Sequence, residues 1–260
     1  MVMVQVFDLQ GKPKATVELP KVFETPIRPD AIKRAVVAQQ SHRIQPQGRD
    51  SMAGKRTTAE SMGTGFHLAR LPRVKGSRYP KAQQAAFVTG TVGGMQAHPP
   101  RSEKKIYKEI NKKEKQLAIR SAIAATADKN LVSSRGHIVN DVPSFPLVVS
   151  DDLQSFSRTS EAREFFEKIG VWRDVERVKR SRIIRAGKGK TRGRRTRHRV
   201  GPLLVINEDQ GIRKAVGNFL GVDVAKAEKL NAELLAPGTS PGRLTIWTLS
   251  AFNSLDNLFV

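Results

Sequence analysis

The sequence predicts an α/β fold with a mostly parallel, helix-covered sheet, on three observations. From Phe145 onward, apolar runs alternate with amphipathic stretches, strand then helix then strand. The 260 residues are 38 % apolar, enough to bury a sizeable core. Most of the net charge of +22 is confined to two excursions, and the 181 residues outside them suffice for one compact domain.

The elements follow in order. Val2, Val4 and Val6 share one face of an alternating strand over residues 2–7. Gln10-Gly11-Lys12-Pro13 then turns the chain into a second short strand over 15–19. Asp30 opens a helix whose stripe of Ile32, Ala35 and Val36 runs towards His42, and Pro46 and Gly48 end it. Ser102 opens a helix expected to reach about Asp128, with Ile106, Ile110, Leu117, Ala118, Ala122 and Ile123 inward. Ile138-Val139 is β-like, and residues 145–149 form a buried-strand pattern followed by Asp151-Asp152. Ser160, Glu161 and Glu164 start a helix through Phe165, Phe166 and Ile169, stopped by Gly170. Residues 202–206 form a hydrophobic strand, and 211–220 a helix closed by Gly221. A short strand at 222–224, a helix at 225–235 and a last strand at 244–249 complete the chain. Such an order predicts a Rossmann-like three-layer core.

The charge is uneven. Residues 177–201 hold twelve basic side chains and no acid: Arg177, Lys179, Arg180, Arg182, Arg185, Lys188, Lys190, Arg192, Arg194, Arg195, Arg197 and Arg199. Residues 48–101 hold nine, namely Arg49, Lys55, Arg56, Arg70, Arg73, Lys75, Arg78, Lys81 and Arg101, against Asp50 and Glu60. The two windows carry 19 of the 22 units of net charge. Charges packed this densely repel one another, and a phosphate backbone would neutralise them. Arginine forks phosphate oxygens and stacks on bases, which suits irregular RNA.

Residues 48–101 show no sustained period of 2 or 3.6 and are punctuated by glycine and proline. Met52, Met62, Phe66, Leu68, Leu71, Tyr79 and Phe87 are scattered through them and need something to pack against. The reading is one α/β domain over 1–260, with 48–101 an extended RNA-penetrating loop and 177–201 a polybasic insertion. The loop becomes ordered inside a partner.

Other chemistry lacks its context. The chain has no cysteine, which excludes disulfides, thiolate nucleophiles and cysteine metal sites. No apolar run reaches 18 residues, and the first nine residues lack the pattern of a secretory signal, so no membrane and a cytoplasmic setting are expected. Gly189-Lys190-Thr191 resembles the end of a phosphate-binding loop, but Ile184 stands where that motif needs glycine. Gly63-Thr64-Gly65 lies in irregular sequence, not between strand and helix. Asp151-Asp152 reads as a turn or a helix cap. The five histidines make no ligand pair at i+3 or i+4. No catalytic residue, metal or cofactor is expected.

The order of motifs in the long loop is specific. It runs Gly54-Lys55-Arg56, Met62-Gly63-Thr64-Gly65-Phe66-His67-Leu68-Ala69-Arg70, Lys75-Gly76-Ser77, Thr91-Val92-Gly93-Gly94 and Pro99-Pro100-Arg101. In this it resembles the large-subunit ribosomal protein L-four family of archaeal and eukaryotic type, over the whole length. The resemblance implies a structural protein that binds large-subunit ribosomal RNA early in assembly beside neighbouring ribosomal proteins. It also implies that the loop tip, about residues 62–77, lines the exit tunnel through which the nascent polypeptide passes. The tip residues would be Met62, Gly63, Thr64, Gly65, Phe66, His67, Arg70 and Arg73. Bacterial members have a basic residue before Gly-Thr-Gly, where this chain has Met62. The rival expectation is an RNA-modifying or nucleotide-using enzyme with basic RNA-docking segments.

Overall fold

The computed structural model describes residues 2–259, and by contact the chain divides into two units, residues 1–40 with 108–260, and residues 41–107. The first unit carries the regular structure. Strands β1 (Met3–Phe7) and β2 (Pro13–Glu18) form an antiparallel hairpin in which Val4 faces Val17 and Gln5 faces Thr16. Helices α1 (Pro29–Ser41), α2 (Lys112–Ala124) and α3 (Lys129–Ser134) lead to β3 (Leu147–Val149). Then come α4 (Thr159–Lys168), α5 (Trp172–Arg180) and a small hairpin of β4 (Ile183–Ile184) and β5 (Thr196–Arg197). Strand β6 (Leu203–Ile206), α6 (Ile212–Val216), β7 (Asp223–Lys226), α7 (Ala232–Leu235), β8 (Thr245–Thr248), α8 (Leu249–Asn253) and α9 (Leu255–Phe259) finish it.

The main sheet has the order β2-β1-β3-β8-β6-β7, and every neighbour after the β2–β1 pair is parallel. Its central strands are buried on both faces, as their uninterrupted apolar runs require. On one face Val148, Leu203, Val205 and Trp247 pack with Ile32, Val36, Ala122, Ile123 and Phe252, from α1, α2 and α8. On the other, Leu147, Val149, Leu204 and Ile246 pack with Phe165, Phe166, Val175 and Ile212, from α4, α5 and α6. The predicted α/β class, with a mostly parallel sheet and helices, is the observed one.

Several local expectations are corrected. The helix expected from Ser102 begins ten residues later, at Lys112. Lys104 and Lys108 stand four apart before it, a like-charge spacing that disfavours a helix. It stops at Ala124, and Asp128 caps α3 by accepting the Asn130 N–H at 2.8 Å. Ile138-Val139 is not a strand, because the Ile138 N–H is taken by the Asp174 carboxylate at 2.9 Å. The helix expected over 225–235 shrinks to α7, since β7 claims Ala225 and Lys226, and Asn231 caps the remainder through the Leu234 N–H. The helix expected over 211–220 is α6, five residues long. Helices α3, α5, α8 and α9 lie where the sequence reading places no helix.

Residues 42–107 contain no helix or strand, only isolated bridges pairing Arg73 with Glu60 and with Ala85. Not one residue from 42 to 107 is buried. Its two ends meet: the His42 and Tyr107 rings stack with centroids 4.0 Å apart and planes within 3°. Nearby, Arg49 donates its N–H to the Pro100 carbonyl at 3.1 Å and its guanidinium to Gln96 at 2.9 Å.

Candidate nucleic-acid interface

The polybasic run starts on α5, continues through the β4–β5 hairpin and ends at β6. Residues opposite one another in a two-stranded ribbon share a face. Ile183 pairs with Arg197 and Ile184 with Thr196, and Arg185 donates its N–H to the Arg195 carbonyl at 2.9 Å. The turn is a 3-10 helix, Lys188–Arg192, closed by Gly193 at φ 77°, where a side chain would be strained. Gly189-Lys190-Thr191 therefore lies in a hairpin turn, with the Thr191 hydroxyl donating to the Lys188 carbonyl at 2.8 Å.

Arg177 stands apart from the other eleven cations. It turns inward, its side chain 15 % exposed, and grips the fully buried Asp174 with Nε at 2.8 Å and Nη2 at 3.2 Å. Nη2 also donates to the Val200 carbonyl at 3.0 Å, fixing the foot of the hairpin. His137 completes the cluster, with Nδ1 at 2.9 Å from Asp174 Oδ2. An ionised carboxylate only accepts, so Nδ1 carries the proton. Burial pushes the Asp174 carboxyl up, but hydrogen bonds from His137 and Arg177 outweigh it, and the group stays below the ordinary carboxylate range. Burial pushes His137 down and keeps it neutral, against the pull of Asp174.

A second buried arginine holds the next residue of the same foot. Arg243, 1 % exposed, donates Nε to the Gly201 carbonyl at 2.9 Å, Nη1 to Leu234 at 2.9 Å and Nη2 to Asp223 at 2.6 Å. The outgoing end of the hairpin is thus held at two consecutive carbonyls by buried cations. Its remaining cations face outward: Arg180 reaches Glu176 at 3.3 Å, while Lys179, Arg182, Arg185, Lys188, Lys190, Arg192, Arg194, Arg195, Arg197 and Arg199 make no ion pair among the described residues. Arg185 alone of these ten is half-buried.

In the 41–107 unit, Arg56 pairs with Asp50, and Lys75 with Glu60 at 2.6 Å. The Met52 N–H and then Arg56 hold the Asp50 carboxyl below its usual range. Arg73 is half-buried and donates Nη1 to the Gln83 carbonyl at 3.0 Å. Lys55, Arg70, Arg78, Lys81 and Arg101 are exposed, with no ion pair among the described residues. The Glu60–Arg73 bridge brackets an excursion in which Met62, Gly63, Thr64, Gly65, Phe66, His67 and Arg70 are all exposed. Gly63 and Gly65 have φ of 78° and 94°, with open space around them, so it is the backbone turn that calls for glycine. His67, Arg78, Gln83 and Phe87 also adopt positive φ, a strained conformation in a segment with no core of its own to impose it.

Sequence reasoning missed Arg135 and Arg243. An arginine directly before the buried strand at 244–249 was the available signal for Arg243. It also treated Arg177 as one more exposed cation, although Asp174 lies three positions earlier, where a helical pair forms.

Where α/β enzymes hold nucleotides, at the carboxyl ends of parallel strands, this chain spends its polar groups on itself. Asp151 accepts from the Ser250 N–H at 2.9 Å, the Ser250 hydroxyl at 2.6 Å and Gln154 at 3.0 Å. Gln154 in turn accepts the Glu208 N–H at 2.8 Å. Asp151 therefore caps the start of α8, in line with the turn-or-cap reading. Among the described residues no three His, Cys, Asp or Glu gather as metal ligands, and no helix is long and apolar enough to cross a membrane.

A family model described as the ribosomal protein L4/L1 family matches residues 17–258. The chain is 51 % identical to the large ribosomal subunit protein uL4 of Methanosphaera stadtmanae over 259 residues, covering 100 % of this chain and 98 % of that one. Against uL4 of Methanopyrus kandleri the identity is 51 % over 251 residues, 96 % of each chain. Against uL4 of Saccharolobus islandicus it is 49 % over 252 residues, 96 % of this chain and 92 % of that one.

Proposed function

The chain belongs to the ribosomal protein L4/L1 family, and from that premise we propose that it binds large-subunit ribosomal RNA through its two basic segments, early in assembly. It is a structural protein of the large ribosomal subunit in the cytoplasmic ribosome, and not an enzyme. The three-layer core is the Rossmann-like base, and residues 48–101 are an extended arm. Neighbouring large-subunit proteins and the passing nascent polypeptide are its other partners. The tip at 62–77 forms part of the exit tunnel wall.

The observation that carries this reading is the contrast between two kinds of cation. Arg177 and Arg243 are buried and spent on carbonyls and carboxylates. The hairpin cations from Arg182 to Arg199 are left without acidic partners among the described residues. Free-standing, that arrangement only repels itself, whereas against phosphates it releases counterions. The arm adds apolar groups that nothing in its own unit buries, among them Phe66 at 57 % and Leu68 at 50 % exposure. Ordering them costs entropy that contact with folded RNA offsets.

A salt titration tests the electrostatic part. If roughly 8 to 10 phosphates are neutralised, log K against log salt falls with a slope of about −6 to −9. A slope of about −2 or shallower refutes the reading. Limited proteolysis tests the arm. In the free protein, cuts are expected to concentrate in residues 50–100 while the sheet survives, and bound RNA should suppress them. Uniform protection throughout the free chain would exclude an arm that orders on RNA.

A further inference from the structure

Beside the basic hairpin lies an open cleft of about 1230 Å³. Its walls come from α3, the end of α5, the hairpin and the loop at Ser240-Pro241. Arg135, Arg177, Arg180, Arg197 and Arg199 surround it, and no carboxylate residue lines it. These arginines differ in freedom. Arg177 is locked on Asp174 and Val200, and Arg135 is locked on the Pro237 and Ser240 carbonyls. They supply fixed positive charge at the back of the cleft. Arg197 and Arg199 are exposed without an ion pair among the described residues.

One lining residue does not fit a plain phosphate groove. Ile183 is 58 % exposed and sits directly opposite Arg197 in the hairpin register. Leu131 and Pro241 add apolar surface on the other walls. Phosphates need only the arginines, whereas an unpaired base must also cover its faces, with apolar side chains on one side and a guanidinium plane to stack on. Cavities for small organic ligands run to about 300–1,000 Å³, so the cleft, at about 1230 Å³, has room for one or two nucleotide units.

We propose that this cleft receives an unpaired nucleotide of the bound RNA, its base against Ile183 and its flanking phosphates on Arg197 and Arg199. The proposal rests on the RNA-binding reading above. It adds that the chain prefers irregular RNA to a continuous A-form helix. An RNA occupant is favoured over an acidic peptide because the cleft shares its hairpin wall with the outward row of cations from Arg182 to Arg195.

The test compares two RNA hairpins of equal length, one fully paired and one with a two-nucleotide bulge, bound to the full chain at fixed salt. The bulged RNA should bind about tenfold tighter. Ile183→Thr keeps the charge and suits a strand. It should cut that advantage to within about threefold and leave affinity for the paired hairpin unchanged. A photoreactive uridine in the bulge should crosslink within 131–135 or 183–199. Equal binding of both RNAs by the unaltered chain overturns the cleft assignment and leaves the RNA-binding reading standing. No binding of either RNA removes that reading as well. A bulge advantage that survives Ile183→Thr, with a glutamate-rich peptide crosslinking to the cleft, would assign it to a protein partner and likewise overturn the proposal. Circular dichroism of the variant guards against misfolding as the cause of any loss.

Discussion

Asp174→Ala is expected to destabilise the free protein by about 3–5 kcal/mol, the range seen when one partner of a buried ion pair is removed. The carboxylate is fully buried and receives His137, Arg177 and the Ile138 N–H. Without it Arg177 keeps the Val200 carbonyl but loses its carboxylate, and the segment at His137-Ile138 loses its tie to α5. A denaturant titration measures the loss, and a shift below about 1 kcal/mol would mean that the cluster is not a mooring. The pH dependence has a defined sign. His137 titrates in the folded state below its unfolded value, so its contribution is complete above about pH 6.5 and declines as pH falls. Asp174 is likewise depressed, so its contribution is complete above about pH 4 and is lost on further acidification. Unaltered protein should therefore weaken first as the pH falls below about 6.5, before the Asp174 limb is reached. His137→Asn, whose amide can replace the Nδ1 donor, should lack that first limb. An identical pH profile in the variant would remove His137 as its source.

The second large effect is on RNA binding. Replacing Arg192, Arg194, Arg195, Arg197 and Arg199 together by glutamine is expected to lower affinity by roughly 10³-fold at physiological salt, and to make the salt slope about 4 units shallower. All five are exposed and none pairs with an acid among the described residues, so the fold should be unaffected. An unchanged slope would show that these side chains meet no phosphates. The two experiments separate the two uses of charge in this chain, since the first acts on the free protein and the second only on the complex.

How much of this was legible depends on range. Strands at the centre of the sheet announce themselves: 203–206 and 245–248 are buried on both faces, so their sequences are continuous apolar runs that no turn interrupts. Helix ends were less legible, because they are decided by competition. Lys112 rather than Ser102 starts α2, and Asn231 rather than Ala225 precedes α7. In both cases a neighbouring segment claims the residues first: Tyr107 stacks on His42, and β7 takes Ala225 and Lys226. Helix α5 was hidden because its basic face blends into the polybasic run, leaving only Trp172, Val175 and Val178 as a stripe. The direction in which an arginine points is the least legible property of all. Composition counts Arg177 and Arg199 alike, yet one is held by a carboxylate that also binds a histidine nearly forty residues away. The polybasic run was visible as a charge anomaly, but its hairpin was not, since Ile183 and Ile184 are the only apolar pair in it.

The stacked rings of His42 and Tyr107 have a consequence for how such a chain can change over time. With its two ends held 4.0 Å apart, the stretch between them behaves, for the rest of the molecule, like a short connection whatever its contour length. Lengthening a closed loop adds only about 0.6 kcal/mol per doubling. Insertions and deletions between residues 42 and 107 should accordingly be tolerated by the sheet and screened only by the RNA they must fit, so that descendants of this chain could remodel the one without renegotiating the other.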